Sequence, residues 1–449
     1  MVCCKKSFGF LVLLTAIGVG YVYHRSSQEV PPPLELRKDG FWGRTKTPVK
    51  DNTAIKPFTI NISDAVLIDL KERLSKVRLT ESLEGTNFNY GFRSEQLRKV
   101  IDYWTTKYDW RKQEKELNAL PQFKTQIEGI DIHFIHIKSP VGAKNKTPLM
   151  LVHGWPGSVV EFLDIIPHLK GDFELVIPSL PGYGFSEAAH KPGLDGYHIS
   201  RIFVKLMERL GHQKFLYQGG DWGAIIGKAM AVIYPEKLHG YHSNMAVVPM
   251  TGSFILKALV SELGYPGLVF DDAKVDGNKL NPFLEKVVYQ SLEESGYAHI
   301  QSTKPDTVGV ALNNDPAGLA AYILEKFSTW TNEGYRDRTD GGLTDKFTMD
   351  RLLTNVMMYW VTGSITTSQR LYKEFLTKAL QNPYVVHVPT GILMSRHELL
   401  RIPRSLVKPF YPNLTQYTDL DRGGHFLAME EPKLVAEDIK LFVKKLNLS

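Results

Sequence analysis

One short segment carries the residue types of a covalent catalyst. Residues 219–223 read Gly-Gly-Asp-Trp-Gly and lie between an apolar run, Phe215–Gln218, and a helical pattern, Ala224–Tyr234. A side chain at a sharp strand-to-helix turn flanked by glycines is typical of a nucleophile elbow, because strand and helix crowd together there. Asp221 would then be a carboxylate nucleophile. The segment fits equally well a glycine-rich turn whose aspartate caps the next helix, and the five residues alone leave both interpretations open.

An acid and then a histidine base follow the nucleophile, which is the chain order typical of enzymes with a nucleophile elbow. His425 lies in a glycine-rich loop, 421–426, shortly before a predicted closing helix, Leu434–Leu446. Glu398 follows a predicted strand that ends near Met394. We therefore predict His425 as the base and Glu398 as the acid that orients it. The alternative acids are Asp419 and Asp421, which otherwise belong to a solvated turn.

An elbow also needs two backbone N–H groups to hold a developing oxyanion. The first would belong to Trp222, the residue after the nucleophile. The second would belong to Trp155 in the loop 153–157, which follows the apolar run Leu149–Val152. Both tryptophans are therefore predicted oxyanion-hole residues through their main chains.

Competing motifs fail in this chain. His397 and Glu398 begin like a zinc-protease motif, but position 401 is Arg401 where a second histidine is needed. Residues 223–228 are one residue short of a phosphate-binding loop, and Ala229 stands where Ser or Thr is required. No Gly-x-Gly-x-x-Gly segment follows a strand, so neither nucleotide motif is supported.

Composition sets wider limits. The 449 residues are 43% hydrophobic and 23% charged with a net charge of +6, which is ordinary for a globular protein and excludes a disordered one. The chain has no run of five basic residues, so no nucleic-acid partner is expected. Cys3 and Cys4 are the only cysteines, which excludes a disulfide framework, a thiolate zinc site and a cysteine nucleophile in the globular part.

The elements that must position these residues are predicted from apolar periodicity. Short strands alternate with helices between about 127 and 249, beginning with an alternating segment, Ile127–Ile137, and this order favours an α/β fold with a mostly parallel sheet. An earlier helix is predicted over Asp64–Val77, opened by Ser63. Strand signals fade from about 250 to 380, which predicts a helical insertion.

The N-terminus is a separate unit. Residues 8–23 carry no charge and lie between Lys5–Lys6 and His24–Arg25. At 1.5 Å per residue they span about 24 Å, somewhat less than the ~30 Å hydrocarbon core of a bilayer. The segment is a signal peptide or a short anchor; its aromatic end and its lack of a small-residue cleavage site favour the anchor. Flanking charges balance, so orientation is not readable, and Cys3–Cys4 are either acylated or inert thiols.

Several segments in order resemble the microsomal epoxide hydrolases of the α/β-hydrolase superfamily, a family that includes the arthropod juvenile hormone epoxide hydrolases. The similarity runs from about residue 30 to the end of the chain. Its motifs are Asn89–Phe92, Phe123–Gly129, Glu294–Tyr297, Lys304–Gly309, Ala321–Ser328, Ser368–Tyr372 and Arg422–Phe426.

The resemblance implies roles and an organisation. It places the nucleophile on Asp221, the base on His425, the acid on Glu398 and two epoxide-polarising tyrosines on Tyr297 and Tyr372. It implies hydrolysis of lipophilic epoxides by water to vicinal diols, without metal or cofactor, at the endoplasmic-reticulum membrane with a single-pass anchor and the catalytic domain on the cytosolic face. The expected segments are an anchor (1–25), an N-terminal extension (26–125), a first core part (126–249), a cap (250–380) and a second core part (381–449).

Two other functions fit the same scaffold. A haloalkane dehalogenase also uses an aspartate elbow, and the Trp222 indole would bind halide, but such an enzyme has no need of Tyr297 and Tyr372. A membrane-anchored lipid-binding protein has no need of an intact Asp221, Glu398 and His425. An esterase would carry serine at 221. The choice between xenobiotic and juvenile-hormone epoxides, and the oligomeric state, stay open.

Overall fold

The computed structural model describes residues 40–43, 50–138, 147–380 and 382–448. Within them, nine strands form one mixed sheet in the order β1-β2-β3-β5-β4-β6-β7-β8-β9. The segment from β5 to β9 is parallel throughout, whereas β1, β2 and β3 add antiparallel strands at one edge. The strands are β1 Lys56–Pro57, β2 Gln122–Ile127, β3 Ile130–Ile137, β4 Pro148–Val152, β5 Glu174–Pro178, β6 Phe215–Gly219, β7 Leu238–Ser243, β8 Thr390–Met394 and β9 Leu414–Asp419.

The parallel strands carry their functional loops at one edge. β4, β6 and β8 are short, largely buried and apolar, as expected where helices cover both faces of a parallel sheet. Their carboxyl ends, with that of β9, lead into the loops that contain residues 153–157, 221, 398 and 425. Because parallel strands end at the same edge, segments far apart in sequence meet there.

Helices surround the sheet, and helices joined by turns and loops form the region from 250 to 380, which contains no strand among its described residues. That region supplies α7 to α15 and includes one π-helical segment, Leu284–Tyr289. The α-helices are α1 Asp64–Ser75, α2 Ser94–Thr106, α3 Trp110–Asn118, α4 Ile166–Leu169, α5 Gly196–Arg209, α6 Asp221–Ile233, α7 Gly252–Glu262, α8 Ala273–Leu280, α9 Gln290–Glu294, α10 Gly296–Thr303, α11 Pro305–Asn314, α12 Pro316–Thr329, α13 Leu343–Lys346, α14 Met349–Trp360, α15 Ile365–Leu380, α16 Arg404–Val407, α17 Leu427–Glu430 and α18 Pro432–Lys445.

The predicted strand over residues 127–137 is wrong at its start. Ile127 ends β2, and Glu128 and Gly129 form the turn into β3 with φ angles of 53° and 81°. The turn was hidden because Ile127 and Ile130 continue the apolar pattern on either side of it. Glu128 is held there by Arg201, whose guanidinium donates to both carboxylate oxygens at 2.7 Å.

Two helix boundaries also differ from the prediction. Helix α1 ends at Ser75, before the predicted Val77, and Ser63 occupies its N-cap position without a side-chain hydrogen bond. The elbow helix α6 begins at Asp221, three residues before the predicted start, because the turn itself already has helical hydrogen bonding.

The predicted anchor, residues 1–25, and its two cysteines lie outside the described residues. In the part of the chain that the structure does describe, no helix combines the length and the apolar character needed to cross a membrane.

Candidate active site

Asp221 sits on a strained turn between β6 and α6. Its φ angle is 49°, a left-handed conformation that is costly for a residue with a side chain and is often found at functional sites. A Cβ atom at Gly223 would lie 2.0 Å from the Val152 carbonyl oxygen, so only glycine lets helix α6 approach β4 this closely. Gly220, not Asp221, occupies the N-cap position of α6. The carboxylate is therefore free of the capping role that the sequence left open.

The loop after β4 contacts one oxygen of this carboxylate. The Trp155 backbone N–H donates to Asp221 Oδ1 at 2.8 Å. A Cβ at Gly154 would lie 2.3 Å from the same oxygen, so this glycine makes room for the carboxylate. No hydrogen bond from the Trp222 N–H to Asp221 is present among the described residues. The Trp155 N–H therefore points at one carboxylate oxygen of Asp221, whereas the Trp222 N–H makes no such hydrogen bond, and the oxyanion-hole role of both stays a prediction.

Side chains on either side hold this loop in place. His153 accepts a hydrogen bond from the Leu180 N–H at 3.1 Å, and burial lowers its pKa to about 4, which keeps the ring neutral. From helix α14, Asn355 donates to the Pro156 carbonyl at 2.7 Å and Tyr359 donates to the Gly157 carbonyl at 2.5 Å. The cap helix therefore fixes the backbone whose N–H faces Asp221.

His425 links the carboxylate to the predicted acid. Its Nε2 lies 3.5 Å from Asp221 Oδ2, and its Nδ1 lies 2.7 Å from Glu398 Oε1. The side chains of His425 and Glu398 are only 3% and 1% exposed, so this pair is shielded from water. Asp419 instead binds Lys279 at 2.7 Å, and Asp421 is exposed. The structure brings Glu398 to the histidine and leaves both alternative acids elsewhere.

The two carboxylates control the charge of this imidazole. Burial lowers the pKa of His425, but the negative charges and hydrogen bonds of Glu398 and Asp221 outweigh burial and hold that pKa well above its ordinary value. Both carboxylates therefore favour the protonated, cationic form of the ring in the resting site. Neutralising Asp221 would remove one of the two groups that stabilise this cation.

Tyr297 and Tyr372 lie over the same carboxylate from the cap. The Tyr297 ring stacks on Trp155 with centroids 5.1 Å apart, and the Tyr372 ring meets Trp222 edge-on at 4.7 Å. The two phenol rings are 5.7 Å apart. Burial and then the charge of Asp221 raise the pKa of Tyr297, and burial followed by nearby acidic groups does the same for Tyr372. Both phenols therefore keep their protons and can donate.

The Tyr372 hydroxyl is one of several buried polar groups without a hydrogen bond of normal geometry, and it is the one that belongs to a predicted catalytic side chain of the cap. Its side chain is almost fully buried, and among the described residues its oxygen has only a weak interaction with the Tyr297 hydroxyl. Buried hydroxyls normally find a partner, so an orphaned one calls for an explanation. A substrate oxygen entering between the two rings would satisfy it.

Sequence reasoning missed the groups that position the histidine loop. Glu430 accepts hydrogen bonds from the N–H groups of Gly424 at 2.6 Å and Phe426 at 2.9 Å, on either side of His425. The Trp330 carbonyl accepts the His425 N–H at 2.9 Å. A glutamate five residues after a predicted base carries no distinctive signal, and Trp330 lies in another segment, so only the tertiary structure reveals these contacts.

A second overlooked carboxyl lies beneath the loop that holds Trp155. Glu161 Oε1 occupies the space that a Cβ at Gly157 would fill, 1.4 Å from the ideal position of that atom. Burial raises the pKa of Glu161 to about 8, with the charge of His425 opposing and that of Asp221 reinforcing the shift. Burial likewise raises the pKa of Glu430 to about 8. Burial thus favours the neutral form of both carboxyl groups, which lie near Asp221, Glu398 and His425.

Comparison with known proteins agrees with this arrangement. The family described as the epoxide hydrolase N terminus matches residues 55–162, and the α/β hydrolase fold matches residues 147–432. Epoxide hydrolase 1 of Oryctolagus cuniculus is 46% identical over 96% of this chain and 98% of that protein. Juvenile hormone epoxide hydrolase 1 of Ctenocephalides felis is 45% identical over 99% of this chain and 96% of its own length.

Solved structures give the same result. The crystal structure of juvenile hormone epoxide hydrolase from the silkworm Bombyx mori superposes with a TM-score of 0.86 and 45% identity, covering 92% of this chain and 99% of that one. The epoxide hydrolase of Aspergillus niger superposes with a TM-score of 0.73 and 29% identity, covering 89% and 99%. The resemblance inferred from sequence motifs is confirmed: this chain belongs to the epoxide hydrolase family of α/β hydrolases and is an enzyme that hydrolyses epoxides.

Proposed function

We propose that the chain opens lipophilic epoxides through a covalent ester on Asp221. The observation that carries this proposal is that the two carboxylate oxygens of Asp221 have different partners. Oδ1 accepts the Trp155 N–H at 2.8 Å, whereas Oδ2 accepts no backbone N–H among the described residues and lies 3.5 Å from His425 Nε2. Oδ2 is therefore the attacking oxygen, and Oδ1 becomes the carbonyl oxygen of the ester.

In the first step, Oδ2 attacks a ring carbon and the strained C–O bond breaks. The electron pair of that bond leaves as an alkoxide, which is a poor leaving group unless it is protonated or strongly hydrogen-bonded. Tyr297 and Tyr372 carry protonated phenols next to the two tryptophans that flank Asp221. One phenol delivers its proton to the alkoxide while the other donates a hydrogen bond.

In the second step, water cleaves the ester. Esterification removes the charge of Asp221, so the pKa of His425 falls, and the ring passes its proton to the phenolate formed in the first step, which leaves a neutral imidazole as the base. Its Nε2 takes a proton from water, Glu398 stabilises the resulting imidazolium, and hydroxide adds to the ester carbonyl. The charge developing on Oδ1 is held by the Trp155 N–H, and by the Trp222 N–H once the geometry becomes tetrahedral. Collapse breaks the Cγ–Oδ2 bond of the ester, the leaving alkoxide takes the proton held by His425 and departs as the diol, and the new carboxyl group of Asp221 then returns a proton to His425.

An isotope experiment tests the covalent step directly. A single turnover in H₂¹⁸O, with enzyme in excess, is expected to give diol without ¹⁸O, because the new diol oxygen comes from Asp221. The label then appears in the carboxylate, and in diol from later turnovers. Asp221→Asn provides the blank and is expected to form no diol. Labelled diol in the first turnover would show direct attack by water and overturn the proposal.

We propose that the substrate is a lipophilic epoxide. An assay is needed to decide between xenobiotic and juvenile-hormone epoxides. The chain is 46% identical to the rabbit epoxide hydrolase 1 and 45% identical to a flea juvenile hormone epoxide hydrolase, so identity does not separate detoxification from hormone degradation. An aryl epoxide and an isoprenoid epoxy-ester should be compared by kcat/KM. The faster substrate assigns the branch, and equal activity on small water-soluble epoxides would contradict the lipophilic class.

We also propose that residues 1–25 anchor the enzyme in the endoplasmic-reticulum membrane with the catalytic domain in the cytosol. Carbonate extraction together with N-terminal sequencing distinguishes a retained anchor from a cleaved signal peptide. The orientation of the catalytic domain across the membrane can be determined from the N-glycosylation sequons that begin at the exposed residues Asn61 and Asn413. Glycosylation of either would contradict the cytosolic orientation.

One observation favours a dehalogenase-like activity enough to be tested. The indole nitrogens of Trp155 and Trp222 are buried without a hydrogen-bond partner among the described residues, and such donors can bind halide. Halide release from a haloalkane would then continue in a Tyr297→Phe/Tyr372→Phe variant. We expect no release above the Asp221→Asn blank.

A further inference from the structure

A cluster of metal-binding side chains lies outside the active site. The Nε2 atoms of His136 and His212 lie 2.6 and 3.0 Å from one oxygen of Glu174, Oε1. All three ligand atoms are within 4.8 Å of one another. We call His136, Glu174 and His212 the edge cluster.

The edge cluster occupies the opposite end of the sheet from Asp221. Glu174 is the first residue of β5, His136 lies on the neighbouring antiparallel β3, and His212 lies in the loop between α5 and β6. The triad residues instead follow the carboxyl ends of the parallel strands. The proposed reaction therefore gives the edge cluster no role.

The pKa shifts of His136 and Glu174 are in the direction that favours binding of a cation. Burial lowers the pKa of His136, outweighing the opposing effect of the Glu174 carboxylate, and the exposed Lys138 lowers it further. Burial opposes ionisation of Glu174, yet hydrogen bonds and charge from both histidines hold its pKa below the usual value. A neutral imidazole and an ionised carboxylate are the forms that bind metal ions.

We propose that the edge cluster is a three-ligand site for a borderline divalent transition-metal ion, with Zn²⁺ the best fit. Two imidazole nitrogens and one carboxylate oxygen form a ligand set that suits zinc, with water in the fourth position. Tetrahedral coordination places ligand atoms about 3.3 Å apart, so each histidine nitrogen needs to move away from Glu174 Oε1 by only about 0.7 Å (His136) or about 0.3 Å (His212).

Access and connectivity fit such a site. The side chains of His212 and Glu174 are 18% and 15% exposed, which admits the ion and its water, whereas His136 is 3% exposed and fixes the position. A bound ion would join β3, β5 and the loop before β6. It would stabilise this edge of the sheet without touching the reacting atoms, because ligands that bind only the folded state raise its stability.

Metal titration of the chelator-treated full-length chain tests the proposal. Binding of one Zn²⁺ is measured by calorimetry, and Co²⁺ serves as a probe because tetrahedral sites give it visible absorption bands. His212→Gln and Glu174→Gln are expected to weaken binding at least tenfold and to abolish the rise in melting temperature with Zn²⁺. Diol formation by His212→Gln should match the wild type, which verifies folding and separates this site from the proposed reaction.

The matched control is His190→Gln. His190 pairs with Glu187 at 2.9 Å in an exposed two-residue arrangement, so its loss should leave metal binding unchanged. Zn²⁺ bound by Cys3 and Cys4 would remain in both His212→Gln and His190→Gln. The amount of Zn²⁺ bound by the edge cluster is therefore the difference between the wild type and His212→Gln. Lack of Zn²⁺ binding by the wild type, or equal affinity in wild type, His212→Gln and Glu174→Gln, would overturn the proposal.

Discussion

Replacing Tyr372 by phenylalanine should separate catalysis from stability. The Tyr372 hydroxyl makes no hydrogen bond of normal geometry among the described residues, so the variant loses only its weak interaction with the Tyr297 hydroxyl. Phenylalanine keeps the ring and its edge-on contact with Trp222. Because an unsatisfied buried hydroxyl is itself unfavourable, the free energy of unfolding should stay constant or rise by up to about 1 kcal/mol.

Catalysis should respond very differently. Loss of one donor to a developing oxyanion costs about 10²–10³ in rate. Tyr297 still donates in the variant, so we expect the rate of ester formation to fall by about 10², which is about 2.7 kcal/mol of transition-state stabilisation. The Tyr297→Phe/Tyr372→Phe double variant should lose about 10⁴, since both donors to the alkoxide are then absent.

The assay is a single-turnover measurement with enzyme in excess. Ester formation is followed by tryptophan fluorescence, since Trp155 and Trp222 border Asp221, and is verified by the mass of the acid-quenched protein. Urea unfolding gives the stability of each variant.

The matched control is Tyr234→Phe. The Tyr234 hydroxyl is also buried without a partner among the described residues, but it lies thirteen residues beyond Asp221 along α6. At 1.5 Å per residue that is about 20 Å from the carboxylate. Tyr234→Phe should therefore change neither rate nor stability appreciably. A loss of less than threefold in the double variant would refute the assignment of the two phenols.

Three further outcomes follow from the same geometry. His425→Gln should still form the ester but not hydrolyse it, so one equivalent of substrate mass should remain on Asp221; absence of an adduct would contradict the covalent step. Gly154→Ala would place a Cβ 2.3 Å from Asp221 Oδ1 and should reduce diol formation at least about 100-fold, since a displacement of about 1 Å has that effect; Gly171→Ala, where nothing lies within 4 Å, should be unaffected. Ester hydrolysis needs neutral His425, so its rate should rise with pH and level off above the pKa of that ring. Because the ester lacks the charge of Asp221, this midpoint should lie below the pKa of His425 measured by NMR in the resting enzyme, and equal values would contradict the proposed switch.

The local features of the site were readable from sequence because they depend on neighbouring residues. The glycines around Asp221 predict the elbow, since a strained turn between strand and helix admits no larger side chains at those positions. The ends of β4 and β8 were placed correctly because buried parallel strands are short apolar runs that stop at polar loops. The prediction failed at Glu128–Gly129, where the apolar pattern continued through a turn.

Contacts between distant segments were decided by the tertiary structure. Sequence left Glu398, Asp419 and Asp421 as possible acids, and the packing of β8 against β9 brings Glu398 to His425 while Asp419 pairs with Lys279. Tyr372 was placed by resemblance alone, and its unpartnered hydroxyl became visible only with the cap in position.

The side chains that hold the active-site loops in place were likewise visible only in the tertiary structure. Asn355 and Glu430 fix backbone atoms of the active-site loops, yet an acceptor or donor for a main-chain group has no signature in sequence. The sequence by itself determined which residues are chemically able to react, because that ability belongs to the residue type and its local turn. The tertiary structure decided which of them meet, because their approach depends on how strands and cap helices far apart in the chain pack together.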